Sequence, residues 1–153
     1  RAIRIIVPYP PGGGSDVTAR LVAPGLQAAL GQPIVVDNRP GATGIVGTEA
    51  VARSAPDGYT LVLADMPHTI VPALNANLPF HPVNDFTPVS TLGVAPMILF
   101  ANPRVPARDA AEFAALARQR PDGFSIASAG IAGTTHLMAE LFQRLTGTRM
   151  VHV

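Results

Sequence analysis

Short apolar runs alternate along the chain with segments whose apolar residues recur at helical spacing. Val22, Leu26 and Leu30, for example, fall on one face of a helix that follows the first run. The runs that predict strands are Ile3–Val7, Ile34–Asp37, Thr60–Ala64, Val89–Leu92, Met97–Ala101, Phe124–Ala127 and Met150–Val153. Because strands alternate with helices, the pattern predicts an α/β fold with a largely parallel sheet.

Capping residues set the expected bounds of the first helix. Ser15 or Asp16 caps its start and Gly31 ends it, while Pro24-Gly25 should weaken or kink its middle. The next segment with helical signals opens at Thr43-Gly44 and reaches about residue 53. After the third strand, residues 65–82 hold four prolines, so they predict a long irregular loop of the kind that binds ligands or is disordered.

Two more helices are expected near the end of the chain. Asp109 and Glu112 have the spacing of a capping box ahead of a helix that runs through Gln119. The last helix begins at Thr134 or Thr135 and ends at Gly147. Its expected inner face is Leu137, Met138, Leu141, Phe142 and Leu145.

Composition narrows the range of functions. With 48% apolar and 14% charged residues the chain is globular, and a net charge of +1 gives no sustained field for nucleic acid or an anionic membrane. All eleven basic residues are arginine, which excludes a phosphate-binding or Schiff-base lysine. There is no cysteine, so disulfides and thiolate chemistry are excluded. No apolar window approaches the roughly 20 residues of a membrane span, so no direct membrane insertion is expected.

Three glycine-bearing loops occupy the position where α/β sheets bind ligands, between the end of a strand and the start of a helix. They are Pro10–Asp16, Pro40–Gly44 and Ser128–Thr135. Glycine lets the backbone approach a ligand, and the N–H groups and partial positive charge of a helix start favour an anion. The first loop fits neither the phosphate-loop nor the dinucleotide-loop pattern. The alternative interpretation is that the loops are flexible turns and that the threonines only cap helices.

Single polar residues remain open to two interpretations. Asp65 follows a strand in a stretch otherwise free of charge, so it either meets an amino or hydroxyl group of a ligand or caps its own loop. Arg39 either contacts an anion or lies on the surface beside a turn. The four histidines lack metal-ligand spacing, so no metal site is expected. Ser128 lies in no nucleophile-elbow motif, and no acidic pair suggests acid–base catalysis, so no catalytic residue is assigned.

Several longer motifs follow one another along the chain. They are Ile5-Ile6-Val7-Pro8-Tyr9-Pro10-Pro11-Gly12-Gly13-Gly14-Ser15-Asp16, Gly31-Gln32-Pro33, Asn38-Arg39-Pro40-Gly41-Ala42, Pro56-Asp57-Gly58-Tyr59-Thr60-Leu61, Asp85-Phe86-Thr87-Pro88-Val89, Ser128-Ala129-Gly130 and Thr135-His136-Leu137. In these motifs the chain resembles the receptors of tripartite tricarboxylate transporters, also called Bug-type solute-binding proteins. The resemblance extends over essentially the whole chain.

The resemblance implies a fold, a ligand and a location. The fold is the two-lobed, Venus-flytrap type II periplasmic binding protein fold, incomplete here, with residues 1–100 in the first lobe and residues 101–153 opening a truncated second lobe. The ligand is a small carboxylate (a dicarboxylate, a tricarboxylate or an amino acid-like molecule), held mainly by main-chain N–H groups and bridging waters. The implied contacts are Tyr9, Pro11, Gly12, Gly13, Gly14, Asp16, Gly41, Ala42, Thr43, Gly44, Asp65, Ser128, Gly130, Thr134, Thr135 and His136.

The implied protein is a periplasmic receptor whose signal peptide has been removed. It needs no cofactor and delivers its ligand to the permease subunits of a transporter. Asp65-Met66 departs from the family, which more often has small hydroxyl or amide residues there. An aspartate repels a bare polycarboxylate but pairs with an ammonium or accepts from a hydroxyl.

Three further possibilities stay open at this point. One is an α/β enzyme that uses the glycine-rich loop to hold an anionic substrate. Another is a sensor accessory protein with the same pocket and a signalling partner. Since family members have roughly twice this length, the chain is also expected to pair or swap with another chain if it is truncated; a terminal edge strand is the alternative explanation of its last residues.

Overall fold

The computed structural model describes residues 1–128 and 133–153, and it divides the chain into two compact units. The N-terminal unit comprises residues 1–93, and the C-terminal unit comprises residues 94–153. Each unit contains parallel strands with helices between them, so the predicted α/β class is confirmed.

A three-stranded parallel sheet forms the centre of the N-terminal unit. Its strands are β1 (Ile3–Val7), β2 (Ile34–Asn38) and β3 (Thr60–Val62), in the order β2-β1-β3. Ile5 of β1 lies opposite Val36 on one side and Leu61 on the other. Because β1 is paired on both edges, it is the most buried strand, as its continuous apolar run predicts.

Two helices connect these strands, and a third follows the last strand. They are α1 (Gly14–Leu30), α2 (Ile45–Ala52) and α3 (Pro67–Leu74), and a single 3-10 turn at Ala42–Gly44 precedes α2. The core contains the fully buried Val7 and Ala19, with Leu26 of α1 packed against them. Helix α1 thus covers the sheet with the face that carries its small and apolar residues.

The start of α1 differs from the expectation. The helix begins at Gly14, its N-cap is Gly13, and no side chain in the described part of the chain caps it. Ser15 and Asp16 therefore lie inside the first turn. The Asp16 side chain accepts instead from the Gly12 amide at 2.8 Å, one position before the N-cap. The predicted end is confirmed, since Gly31 adopts the left-handed conformation at φ 63°.

Pro24 does not divide α1, which runs as one helix from Gly14 to Leu30. Proline removes one helical N–H donor, and the carbonyl that loses this partner must find another. That carbonyl belongs to Arg20, which is exposed, as Pro24 and Gly25 are, so water can satisfy it. Their exposed position explains why the helix tolerates them.

Residues 65–82 are more ordered than their prolines predict. They contain α3, with Pro67 in its first turn, where a missing N–H costs no hydrogen bond. His68 of α3 stacks on Phe80 and meets Phe86 edge-on, with ring centroids 6.2 and 5.3 Å away. These ring contacts fasten the following loop to the helix.

The predicted strands Val89–Leu92 and Met97–Ala101 are wrong, because this part of the chain forms neither strand nor helix. Its apolar side chains are largely exposed, to 81% at Val89 and 83% at Phe100. A strand needs a neighbour to accept its backbone hydrogen bonds, and neither sheet of the described chain pairs with these residues.

The C-terminal unit has a smaller sheet with two parallel strands. Its elements are α4 (Ala110–Gln119), β4 (Ser125–Ile126), α5 (Thr134–Thr146) and β5 (Val151–His152), and Ile126 lies opposite His152. Ile126, Ala139 and Met150 form its core together with Phe113, Phe124 and Phe142.

The predicted ends of the helices in this unit are confirmed. Asp109 caps α4 by accepting from the Glu112 amide at 2.8 Å, and Glu112 in turn accepts from the Arg108 amide at 2.8 Å. Helix α5 starts at Thr134, as predicted, and its N-cap residue is Gly133. It ends at Gly147 with φ 62°.

The predicted inner face of α5 is only partly correct. Phe142 packs on the core, but Leu141 is exposed and Leu145 is 77% exposed. Ala139 and Gln143 are buried instead. Gln143 tolerates burial because its side-chain oxygen accepts from the Met150 amide at 2.6 Å and its amide group donates to Glu140 at 3.0 Å. Among residues 1–128 and 133–153, no helix is long and apolar enough to span a bilayer.

Gly25 within α1 and Gly31 at its C-cap are expected to respond oppositely to alanine. At Gly25 an added Cβ meets no atom within 4 Å, so Gly25→Ala should raise the free energy of unfolding by about 0.5–1 kcal/mol. At Gly31 the positive φ disfavours a side chain, so Gly31→Ala should lower it by about 1 kcal/mol. Urea denaturation measures both, and a loss of stability in Gly25→Ala would contradict the structure of α1.

Candidate functional site

Three loops of the N-terminal unit meet at one edge of its sheet. They follow the carboxyl ends of β1, β2 and β3, and because the three strands are parallel, these ends lie side by side. This is the edge where α/β sheets bind ligands. Two of the loops are the predicted glycine-bearing loops, and the third contains Asp65.

The loop between β1 and α1 presents backbone donors. Gly12 has φ 84°, and the first helical bond of α1 runs from the Val17 amide to the Gly13 carbonyl at 2.9 Å. The N–H groups of Gly14, Ser15 and Asp16 therefore have no acceptor within the helix, and no side chain of residues 1–128 or 133–153 caps them. Pro11 to Gly14 are exposed, so these donors lie beside an open surface that suits an anion.

The Asp16 carboxylate holds this loop from behind. It is only 3% exposed, accepts from the Gly12 amide at 2.8 Å and pairs with Arg20 at 3.0 Å. Arg20 also donates to Asn38 at 3.0 Å, and Asn38 donates to the Tyr9 carbonyl at 3.2 Å. The guanidinium of Arg20 and then the Gly12 amide hold the pKa of Asp16 at about 2. Asp16 is therefore charged, and its carboxylate stabilises the conformation of the loop after β1.

The loop between β2 and α2 has an unusual backbone. Gly41, Ala42, Thr43 and Gly44 have φ values of 142°, 47°, 56° and 93°. The Gly44 amide donates to the Gly41 carbonyl at 3.0 Å and the Ile45 amide donates to Ala42, which makes a short left-handed turn. A left-handed conformation costs a residue with a side chain about 1–2 kcal/mol. Two such residues in succession point to a functional site.

Close packing fixes where this turn lies. A Cβ added at Gly47 of α2 would come within 2.7 Å of the Arg39 carbonyl and 2.9 Å of Pro8. Helix α2 therefore packs directly on the backbone that follows β1 and β2. Only glycine permits this approach, which brings the left-handed turn next to the loop after β1.

Tyr9 and Asp65 join the three loops. The Tyr9 ring lies against Gly44, with its hydroxyl 3.5 Å from the position of an added Cβ. Burial raises the pKa of Tyr9, and the charge of Asp65 raises it further, so the hydroxyl stays protonated. Asp65 accepts from the Ser15 hydroxyl at 3.0 Å and from the Met66 amide at 2.7 Å. An exposed negative charge thus lies beside the free amides of α1.

The arginines near these loops are already paired. Arg39 donates to Asp37 at 3.0 Å, and Arg20 pairs with Asp16. The surface interpretation of Arg39 therefore fits the structure better than direct contact with an anion. The backbone amides of the loops remain as the donors for an anion.

The C-terminal unit brings together part of its predicted set. Ser128 follows β4, and Thr134, Thr135 and His136 form the start of α5. The predicted contact Gly130 lies in residues 129–132, outside the described residues. His136 is 3.9 Å from Glu140, one turn along α5.

Sequence reasoning missed His152. Its Nε2 atom lies 2.7 Å from the Ser128 hydroxyl, and its ring centroid lies 4.4 Å from that of His136. The available signal was its position at the carboxyl end of a strand parallel to β4. Among the described residues no three acidic or histidine side chains form a group that could hold a metal ion.

Comparisons with known proteins agree with one another. The family model "Tripartite tricarboxylate transporter family receptor" matches residues 18–153. Protein BugT of Bordetella pertussis is 42% identical over 149 residues, which are 96% of this chain and 46% of BugT. The chain therefore spans about half the length of this curated relative.

Two solved structures show the same fold. MatC from Rhodopseudomonas palustris with bound malate superposes with a TM-score of 0.81 at 34% identity, covering 100% of this chain and 52% of MatC. A second R. palustris protein, solved with adipate, gives a TM-score of 0.80 at 31% identity, covering 100% of this chain and 52% of its own. The predicted periplasmic binding protein-like fold is confirmed, and about half of it is present. The chain belongs to the receptor family of tripartite tricarboxylate transporters.

Proposed function

We propose that this protein captures a small carboxylate in the periplasm and delivers it to the permease subunits of a tripartite tricarboxylate-type transporter. The observation that carries the proposal is the group of free backbone donors at the start of α1, beside the left-handed turn at Gly41–Gly44. The malate and adipate bound by structural relatives support a carboxylate ligand. The two units would correspond to parts of the two lobes of such a receptor.

The amides of Gly14 and Ser15 would donate to the carboxylate. They point from the positive end of a helix of 17 residues, which favours a negative group by about 0.3–1 kcal/mol in addition to the hydrogen bonds. Ala42 and Thr43 would contribute further donors, because their N–H groups have no backbone acceptor among the described residues. A site made of amides needs no lysine, in keeping with the composition.

Asp16 and Tyr9 would have indirect roles in ligand binding. Asp16 would shape the loop after β1, since its carboxylate is buried and already accepts from Gly12 and Arg20. Tyr9 would fix the distance between the neighbouring loops, since its ring contacts Gly44 and its hydroxyl lies near Asp65. The direct ligand contacts would then be the backbone of residues 12–15 and 41–43.

Asp65 would restrict the ligand. Its carboxylate accepts from the Ser15 hydroxyl, beside the donors that would receive the ligand's carboxylate. The two negative charges would therefore repel each other. A ligand that also carries an ammonium or hydroxyl group relieves this repulsion by donating to Asp65. We therefore infer an amino acid-like or hydroxy-acid ligand in preference to a plain dicarboxylate.

Family membership and geometry both favour a receptor over an enzyme. Ser128 and His152 form a serine–histidine pair, but among the described residues no carboxylate forms an ion pair with the His152 ring, and Glu140 contacts His136 instead. Beside the amide donors the Ser15 hydroxyl donates to the Asp65 carboxylate, but among the described residues no imidazole hydrogen-bonds to either group. A signalling partner in place of a permease remains the second candidate, and partner capture separates the two.

Ligand binding by the full-length protein tests the proposal directly. Amino-acid ligands should raise the melting temperature most, hydroxy-acid ligands less, and plain dicarboxylates least. In Asp65→Asn the preference should move toward plain dicarboxylates by about tenfold, or about 1.4 kcal/mol. Asp57→Asn is the matched control, because Asp57 pairs with Arg1 away from these loops. Absence of any thermal shift across the panel would refute the receptor proposal.

The stability of the protein in acid should depend on the interactions of the Asp16 carboxylate with Gly12 and Arg20. Since the folded-state pKa of Asp16 is below its ordinary value, its stabilising effect is present above about pH 4 and disappears as the pH falls toward about 2. Asp16→Asn should therefore be less stable than the parent protein at neutral pH, and the difference should shrink over that range. Glu49→Gln is the control, because the Glu49–Arg53 pair has the same i,i+4 spacing on the surface. An equal pH dependence in both variants would contradict the role of Asp16.

The exposed apolar segment at residues 94–100 should make the 153-residue polypeptide self-associate. Three of its side chains are largely exposed, namely Val94 (92%), Ile98 (65%) and Phe100 (83%). An exposed run of strand-forming apolar residues favours association with another chain. Light scattering should show dimers or larger species, and Phe100→Ser should reduce them. Leu145→Ser, at an exposed position on α5, serves as the control. A monomer at every concentration would contradict pairing with another chain.

A further inference from the structure

The arginines of the two units differ in their partners. In the N-terminal unit every arginine forms an ion pair: Arg1 with Asp57, Arg4 and Arg39 with Asp37, Arg20 with Asp16, and Arg53 with Glu49. In the C-terminal unit only one of six arginines does so among the described residues, namely Arg149 with Asp122. The C-terminal unit therefore carries guanidinium groups whose charge no paired carboxylate offsets.

Three of these arginines lie at one end of the C-terminal unit. Arg118 is in the last turn of α4, Arg120 is the C-cap of that helix, and Arg144 is in the last turn of α5. Arg118 donates to the Thr146 carbonyl at 2.7 Å, which brings the ends of the two helices together. All three side chains are exposed, and together these residues are the arginine cluster.

The turn after α4 holds a fourth arginine beside this cluster. The Gly123 amide donates to the Arg120 carbonyl at 2.9 Å, and the Asp122 amide donates to the Arg149 carbonyl at 2.9 Å. The Asp122 carboxylate is the acidic group of this turn, and Arg149 already pairs with it. Asp122 therefore leaves the charge of the arginine cluster unbalanced.

Glu140 does not neutralise the cluster either. It precedes Arg144 on α5 by four residues, the spacing of a helical ion pair. Its carboxylate instead accepts from Gln143 at 3.0 Å and lies 3.9 Å from His136. Within residues 1–128 and 133–153, the side chains of Arg120 and Arg144 form no ion pair and no hydrogen bond.

Stabilisation of helix ends explains only part of the cluster. A basic side chain in the last turn of a helix interacts favourably with the carbonyl end. Arg118 does this directly, through its bond to Thr146. Arg120 and Arg144 bond no carbonyl in the described part of the chain, so their guanidinium donors remain open to a partner.

The arginine cluster lies at the edge of the C-terminal sheet opposite the predicted ligand contacts. Helix α5 connects the parallel strands β4 and β5, so it runs from the carboxyl end of β4 back to the amino end of β5. Arg144 is therefore near the amino ends of the strands, whereas Ser128 and Thr134 are near the carboxyl ends. A partner can occupy the cluster without covering the ligand edge of this unit.

We propose that the arginine cluster is a docking surface for an acidic segment of a partner protein, whose carboxylates Arg120 and Arg144 would bind. The proposal rests on the receptor function, to which it adds the place and the chemistry of partner binding. The planar guanidinium group matches a carboxylate with two parallel hydrogen bonds. Since Arg120 and Arg144 are unpaired beforehand, docking breaks no internal ion pair.

A protein partner fits the cluster better than an anionic lipid surface. Segments that bind anionic lipids ordinarily carry clusters of about four to eight basic residues. Here three arginines lack a carboxylate partner, and the net charge of the chain is only +1. A few exposed guanidinium groups suit pairing with individual carboxylates.

Binding of a fluorescent octaglutamate peptide to the full-length protein at low salt tests the proposal. The double variant Arg120→Gln/Arg144→Gln should bind the peptide about tenfold more weakly than the parent protein, because two charged donors are lost. Arg104→Gln/Arg108→Gln is the matched control, since it removes the same charge from the segment that precedes α4. This control should bind the peptide like the parent protein.

Two further measurements make the comparison specific. None of the four substitutions removes a side-chain hydrogen bond or ion pair among the described residues, so both double variants should melt like the parent protein. The thermal shift caused by carboxylate ligands should also stay unchanged in both. Vesicles of equal parts phosphatidylcholine and phosphatidylglycerol serve as the lipid probe, and the parent protein should bind them no better than vesicles of phosphatidylcholine alone.

The outcomes separate the docking surface from the receptor function. Absence of peptide binding, or equal weakening in the two double variants, would overturn the docking surface. Binding to the anionic vesicles that Arg120→Gln/Arg144→Gln abolishes, without binding to the peptide, would replace the protein partner by a lipid surface. Each of these results leaves the receptor function standing, because that function is judged by the ligand-induced thermal shift of the parent protein.

Discussion

The loop after β1 keeps its shape because a charge is buried behind it. The Asp16 carboxylate accepts from the Gly12 amide and pairs with Arg20, and Arg20 reaches Asn38 at the end of β2. One side chain thus connects the loop, the helix that follows and the neighbouring strand. Because these bonds satisfy the buried carboxylate, the exposed amides at the start of α1 are left open to solvent.

The same edge of the sheet combines opposing electrostatic features. Free amides and the helix start favour an anion, while Asp65 places a negative charge among them through its bond to Ser15. The arginines that would otherwise dominate are neutralised by Asp16 and Asp37. A site of this kind discriminates by the arrangement of donors and acceptors, since no single strong cation determines its preference.

Backbone strain is concentrated at the second loop. Ala42 and Thr43 adopt left-handed conformations between two glycines, and α2 holds the turn in place through the close approach at Gly47. The strain persists because the surrounding packing determines it. In the C-terminal unit the contact of His152 with Ser128 depends on a different feature, the parallel register of β4 and β5.

Local signals in the sequence determined much of the secondary structure. The starts of α4 and α5, the glycines that end α1 and α5, and the strands β1 to β3 were all predictable, because a cap, a left-handed glycine or a buried apolar run acts within a few residues. The three glycine-bearing loops were also visible. The longer motifs that contain these loops carried the family resemblance, which the family model over residues 18–153 confirms.

Only the tertiary structure decided which residues meet. Val89–Leu92 and Met97–Ala101 have strand-like sequences but no strand, because a strand exists only with a neighbour to pair with. Leu145 lies outside the core and Gln143 inside it, where the Gln143 side chain bonds to the Met150 amide and to Glu140. The burial of Asp16 and the contact of His152 with Ser128 likewise depend on register and packing between distant segments, which no local pattern encodes.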